Sequence, residues 1–170
     1  RVLFRSTPIS LMHAAPDSSP LAERELVITR ETHVSPEKLF AGWSQAEYYP
    51  KWFCPKPWYV TDVEIDLRVG GFNSMIICGP NGERFPNQGV YLEVIPNEKL
   101  VFTDAFLANW EPNPNKMFVG ILTFEALPNG GTRYTARARH WTKEACENHA
   151  AMGFVEGWNK AFDQLVELFS

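Results

Sequence analysis

The chain predicts an α+β fold in which a curved antiparallel sheet grips a C-terminal helix. Strand-like segments of period two, separated by turn signals, follow one another from Trp58 to Trp141. The stretch Thr142–Phe169 then switches to a helical period. Phe154, Val155, Trp158, Phe162, Leu165, Val166 and Phe169 fall on one arc of that helix, opposite Glu156, Lys160, Asp163, Gln164 and Glu167. An apolar arc centred on Phe and Trp rings is too bulky for a flat sheet. The sheet must be concave, and a concave sheet beneath a helix encloses space for a ligand.

The elements follow in order. Glu25 to His33 has the β-branched content of a first strand. Ser35-Pro36-Glu37 supplies an N-cap, a proline at the first helical position and an acidic first turn. A short helix runs from there through Leu39, Phe40 and Trp43. A second short helical piece, Glu47 to Trp52, is stopped by Pro55 and Pro57. Thr61, Val63, Ile65 and Leu67 alternate with Asp62, Glu64 and Asp66, so the next strand has one wet face. Gly70-Gly71 ends it, Phe72 to Cys78 follows, and Gly79-Pro80-Asn81-Gly82 turns the chain. Gly89 to Ile95 and Leu100 to Phe106 continue the meander. Asn109 to Lys116, with its two prolines, is a longer loop, either a lid or a surface excursion. Met117 to Ala126 and Thr132 to Trp141 pair across Asn129-Gly130.

A length of 170 residues fits one domain, assigned to residues 23–170, after a disordered lead-in at 1–22. Arg1 to Ser6 reads as the translation of a sequencing-adapter end and Met12 as a start, so residues 1–11 are set aside as scar or read-through. The net charge of -4 excludes a broad basic footprint, so no nucleic-acid partner is expected. Arg133, Arg137 and Arg139 form only a solvated stripe on the convex face. Cys54, Cys78 and Cys146 have no disulfide or C-x-x-C spacing, which points to a reducing, cytoplasmic setting. No run suits a membrane span. No metal is expected, because His13, His33, His140 and His149 lack ligand spacing, and no cofactor fingerprint is present.

Five motifs in sequence order carry a family resemblance. They are Pro36-Glu37-x-Leu39-Phe40-x-x-Trp43, Lys51-Trp52-Phe53, Asp66-x-Arg68-x-Gly70-Gly71, Gly89-x-x-x-Glu93-x-x-Pro96 continuing to Leu100-Val101-Phe102-Thr103, and Met152-Gly153-Phe154-x-Glu156-Gly157-Trp158. Together they resemble the activator of heat-shock-protein-90 ATPase homologue-like branch of the SRPBCC (START-like) superfamily. The resemblance implies a helix-grip fold: a curved seven-stranded antiparallel sheet around a long C-terminal helix, with two short helices after the first strand. It also implies binding of hydrophobic small molecules. The eukaryotic co-chaperones of this name carry a separate N-terminal docking domain, whereas a short lead-in precedes the fold here. A chaperone partner is therefore not expected, while the resemblance still implies a stress-response setting.

Strand alternation nominates a cavity lining. Tyr134, Ala136, Ala138 and His140 share the apolar face of the last strand. Phe118, Gly120, Leu122 and Phe124 face the same way, as do Leu100, Phe102, Asp104 and Phe106. His140 and Asp104 are the inward polar candidates for general acid–base work. The competing reading is a backbone-bonded histidine and a water-facing aspartate. Arg68 either reaches a ligand carboxylate at the mouth or pairs with Asp66 on the surface. From the helix, Met152, Val155 and Trp158 join the lining, with Trp58 and Tyr91 at the rim, while His149 falls on the solvent arc. Cys146, Ala150, Gly153, Gly157 and Ala161 form a small-residue flank that admits close approach of an intramolecular neighbour or, as the alternative, a homodimer partner.

These residues favour a hydrophobic-ligand-binding domain with no assigned reaction. The alternatives are a cyclase- or dehydratase-like enzyme in the same cavity, or a chaperone-interaction module.

Overall fold

A computed structural model describes residues 17–170, so the proposed read-through and Met12 lie outside the described residues. Leu21–Glu23 forms a 3-10 turn in what was expected to be a disordered lead-in. The Asp17 carboxylate there accepts a hydrogen bond from the Lys143 N–H at 2.8 Å.

The elements are β1 (Glu25–Thr32), α1 (Pro36–Ser44), α2 (Tyr49–Trp52), β2 (Tyr59–Ile65), β3 (Phe72–Cys78), β4 (Arg84–Ile95), β5 (Lys99–Thr103), β6 (Val119–Ala126), β7 (Thr132–Arg139), α3 (Lys143–Ala151) and α4 (Phe154–Phe169). The seven strands form one antiparallel sheet in the order β1-β7-β6-β5-β4-β3-β2. Helix α4 lies over its concave face, which is the helix-grip architecture.

Local chemistry fixes the helices above the sheet. Ser35 Oγ accepts the Lys38 N–H, and Pro36 opens α1 as a capped helix start requires. The Tyr49 hydroxyl donates to the Trp43 carbonyl at 2.8 Å, and Trp52 Nε1–H donates to the Gly42 carbonyl at 3.0 Å. These two bonds lock α2 against α1.

The sheet departs from the expected pattern in two places. A bulge between Thr61 and Glu64 shifts the phase of β2. Val60 is fully buried before it, Val63 and Ile65 pack on the core after it, and Leu67 lies exposed beyond the strand. Strand β4 begins at Arg84, five residues before Gly89, because the β3 hairpin pairs Cys78 with Arg84. Residues 84–88 are exposed and show no apolar alternation that would mark a strand. Strand β5 covers only Val90–Ile95, so Pro86 occupies an edge that needs no N–H from it.

The C-terminal helix is two helices, not one. Gly153 adopts φ 90°, ψ 33°, a left-handed conformation, and separates α3 from α4. Glycine enters that region without a Cβ penalty and is a weak helix former, so the chain breaks there. The break resets the helical phase. His149, assigned to the solvent arc of a continuous helix, is buried, whereas Met152 beside the break is 74% exposed; Val155, at the margin of the α4 arc, is 54% exposed. Gly153→Ala is expected to destabilise the protein by about 1 kcal/mol through left-handed strain, read as a lower urea midpoint.

On the convex face each arginine of the stripe meets a carboxylate. Arg133 bonds Glu31 and Glu125 at 2.9 and 3.1 Å, and Arg137 and Arg139 share Glu25. Arg139 and Arg133 lie directly opposite Glu25 and Glu31 in the β1–β7 register.

Candidate functional site

Between the concave sheet, α2 and α4 lies a cavity of about 360 Å³. That is within the roughly 300–1,000 Å³ of small-molecule sites. Its walls are aromatic. Trp43 stacks against Phe102 with ring centroids 5.9 Å apart, and Trp158 meets Phe118 edge-on at 6.0 Å. Gly120 on β6 makes this possible, since a Cβ there would stand 2.4 Å from the Phe102 ring. The far wall is Phe162 stacked on Tyr134, with centroids 4.6 Å apart.

The structure sorts the expected lining residues. Phe102, Asp104, Tyr134 and Trp158 line the cavity, and Met152 borders it while 74% exposed. Tyr91, expected at the rim, is inside and 1% exposed. Leu122 and Phe124 are core residues outside the lining, Phe124 packing on Phe40 and Tyr134. Val155 faces solvent, because it lies in the first turn of α4 at the margin of the arc centred on Phe154, Ala161, Phe162 and Leu165. Trp58 stacks on Phe85 outside the lining. Arg68 pairs with Asp66 at 2.9 Å with its side chain 67% exposed, so it does not enter the site.

The proposed Asp104–His140 pair does not form. Asp104 sits just after β5, where its carboxylate accepts the N–H groups of Met117 and Phe118 and closes the loop that the intervening residues make. Burial raises its pKa, although those two N–H groups pull it back down. His140 lies behind the cavity, with Nδ1 3.1 Å from the Arg24 carbonyl oxygen and Nε2 2.8 Å from His149 Nδ1. His149 lines the cavity itself.

The tautomers follow by elimination. A carbonyl only accepts, so His140 Nδ1 carries the proton. With both rings neutral, His140 Nε2 accepts from His149 Nδ1–H, which leaves His149 Nε2 as an unprotonated acceptor. Burial, with a smaller contribution from the neighbouring His140, pushes the His149 pKa down to about 4.

Asn73 and Met75 on β3 and Tyr49 on α2 also line the cavity but were not among the expected residues. Asn73, Met75 and Ile77 share one face of a regularly paired strand, so alternation alone exposes them. His149 had no such signal, since its inward position depends on the break four residues later.

Among the described residues no three His, Cys, Asp or Glu side chains converge as a metal site. No helix among the described residues is long and apolar enough to cross a membrane. The cysteines are free thiols. The Cys54 thiol, half-buried beside Cys78, is raised to about 11, chiefly by desolvation, which makes it a poor nucleophile.

A helix-grip sheet closed over an aromatic cavity defines a protein of the SRPBCC class. Residues 33–170 match the family model described as "Activator of Hsp90 ATPase homolog 1-like protein", and the chain belongs to that family. A crystal structure from Nitrosomonas europaea is 37% identical, covering 86% of this chain and 94% of its own, with a TM-score of 0.83. One from Mycobacterium smegmatis is 25% identical over 89% and 93% of the two chains, with a TM-score of 0.74. A third, from Chromobacterium violaceum, shares the fold at 20% identity over 85% and 96%, with a TM-score of 0.68. No curated protein matches the sequence.

Proposed function

We propose that this protein binds a small, mostly apolar molecule in the cavity between the sheet and α4. The supporting observation is the cavity itself, about 360 Å³ walled by aromatic rings from both short helices, the sheet and α4. Burial of apolar ligand surface there contributes affinity at roughly 25 cal/mol per Å². The proposed lining is Tyr91, Phe102, Tyr134 and Trp158, with Met152 at the mouth. The free thiols fit a reducing compartment, which we take to be the cytoplasm.

Native mass spectrometry of protein purified from cells tests this. Wild type should carry a co-purifying apolar molecule, and Met75→Trp, which fills the cavity from the sheet side, should be folded and empty. An empty wild-type protein that also shows no thermal shift with any apolar compound would sink the reading.

One observation favours a second reading, an acid–base enzyme of cyclase or dehydratase type in the same cavity. His149 borders the cavity with Nε2 as its unprotonated nitrogen, backed by His140. A proton taken up at His149 Nε2 can pass from its Nδ1 to His140 Nε2, so His149 is the candidate base and His140 a positioning residue. On this reading His149→Ala lowers turnover by about 10²–10⁴ while binding survives. Loss of both together would leave binding as the role of His149.

A further inference from the structure

Two polar groups in the cavity close no hydrogen bond of standard geometry among the described residues. The Tyr91 hydroxyl and the Trp43 indole N–H are both buried without a hydrogen bond among the described residues. Tyr91 is 1% exposed, Trp43 is 5% exposed, and both residues line the cavity. They do not stand alone. The Trp43 indole N–H lies beside the Tyr134 hydroxyl and the Tyr91 hydroxyl beside the Tyr49 phenol, neither pair closing a bond of standard geometry, and the Tyr49 hydrogen goes to the Trp43 carbonyl. The Asn73 amide, also in the lining, lies beside the Tyr91 hydroxyl without closing a bond of standard geometry. Five elements, α1, α2, β3, β4 and β7, thus turn hydroxyl and N–H groups toward one region of an otherwise apolar space.

Buried donors left open in an apolar wall take their partners from whatever fills the cavity. An indole N–H only donates, and a phenol donates as well as accepts. The matching ligand group is therefore an acceptor oxygen. It is also uncharged. Among the described residues the cavity lining contains no Lys or Arg, and Asp104 is its only carboxylate. An anionic ligand would lose its hydration, meet no cation and face a negative group.

We infer that the bound molecule is a neutral, mainly apolar compound carrying a carbonyl-type oxygen, which enters oxygen-first onto the Tyr91 hydroxyl and the Trp43 indole N–H. This rests on the cavity being a ligand site and adds the ligand's chemical class and orientation.

Matched ketone and alkene probes test the class. Acetophenone and α-methylstyrene share one shape, as do 2-acetylnaphthalene and 2-isopropenylnaphthalene, and only the first of each pair has an acceptor oxygen. Titration calorimetry should show the better-fitting ketone binding about tenfold tighter than its alkene, as one hydrogen bond to an otherwise open buried donor provides. Tyr91→Phe should remove most of that preference and leave alkene binding intact. Without ligand the variant should melt no lower than wild type, because the hydroxyl it loses closes no hydrogen bond of standard geometry. Equal binding of ketone and alkene, or a preference unchanged in Tyr91→Phe, overturns the inference while the cavity remains a ligand site. Failure of all four probes to bind overturns both. A clear fall in the melting temperature of Tyr91→Phe shows the hydroxyl to be bonded within the protein and also overturns it.

Discussion

Phe162→Ala should lower stability by about 3–5 kcal/mol, as truncation of a buried Phe does. The residue is 2% exposed, stacks on Tyr134 with centroids 4.6 Å apart, and carries the Arg30 guanidinium 5.1 Å from its own ring centroid. Its loss removes a cavity wall and opens space that neighbouring side chains on a paired sheet cannot fill. Val155→Ala is the control. It lies on the same apolar arc of the sequence but is 54% exposed, so its cost should stay within about 0.5 kcal/mol. Urea denaturation separates the two. Similar costs for both substitutions would mean that α4 does not sit on the sheet as described.

The second large effect is a loss of stability in mild acid. Burial pushes the His149 pKa down to about 4 in the folded protein from an ordinary 6.5, so between those values the unfolded chain binds more protons. Stability contributed by the neutral ring is fully present above pH 6.5 and declines as pH falls toward 4. The shift corresponds to about 2–3 kcal/mol after allowance for partial solvent access. The groups around the ring do not reproduce this trend. The raised pKa of Asp104 acts oppositely, stabilising the fold on its protonated side. The lowered pKa of Glu25 matters only as pH falls below its usual value of 4.5. Urea midpoints measured from pH 7.5 to 4.5 should therefore fall in wild type. The decline should be much shallower in His149→Asn, whose amide can still donate to His140 Nε2 but does not titrate. Parallel curves would refute a neutral, buried His149.

Much of this was legible in the sequence because the relevant signals are local. The N-cap Ser35, the turn at Asn129-Gly130 and the inward faces of β6 and β7 each follow from a few neighbouring residues. The alternation of Tyr134, Ala136 and Ala138 against Arg133, Arg137 and Arg139 matched the observed burial because an unbulged strand keeps its phase. The reading lost phase wherever the backbone slipped by one step. The bulge in β2 did this for Thr61, whose inward place Val60 takes, and the left-handed Gly153 did it for His149. Leu122 and Phe124 illustrate a different limit. Their inward direction was correct, but that face serves both solid core and cavity, and direction alone does not separate the two.

The order of elements, the antiparallel sheet, its need to curve, and the family are all encoded in local residue patterns. Backbone geometry converts residue spacing directly into faces, so these features need no knowledge of distant neighbours. Long-range packing sets where the interior is hollow, that His149 rather than His140 borders the hollow, and that the Tyr91 and Trp43 donors stay open there. Those properties depend on how side-chain volumes and hydrogen-bonding groups from α1, α2, β3, β4, β7 and the C-terminal helices add up at one point. No pattern within a single segment contains that sum.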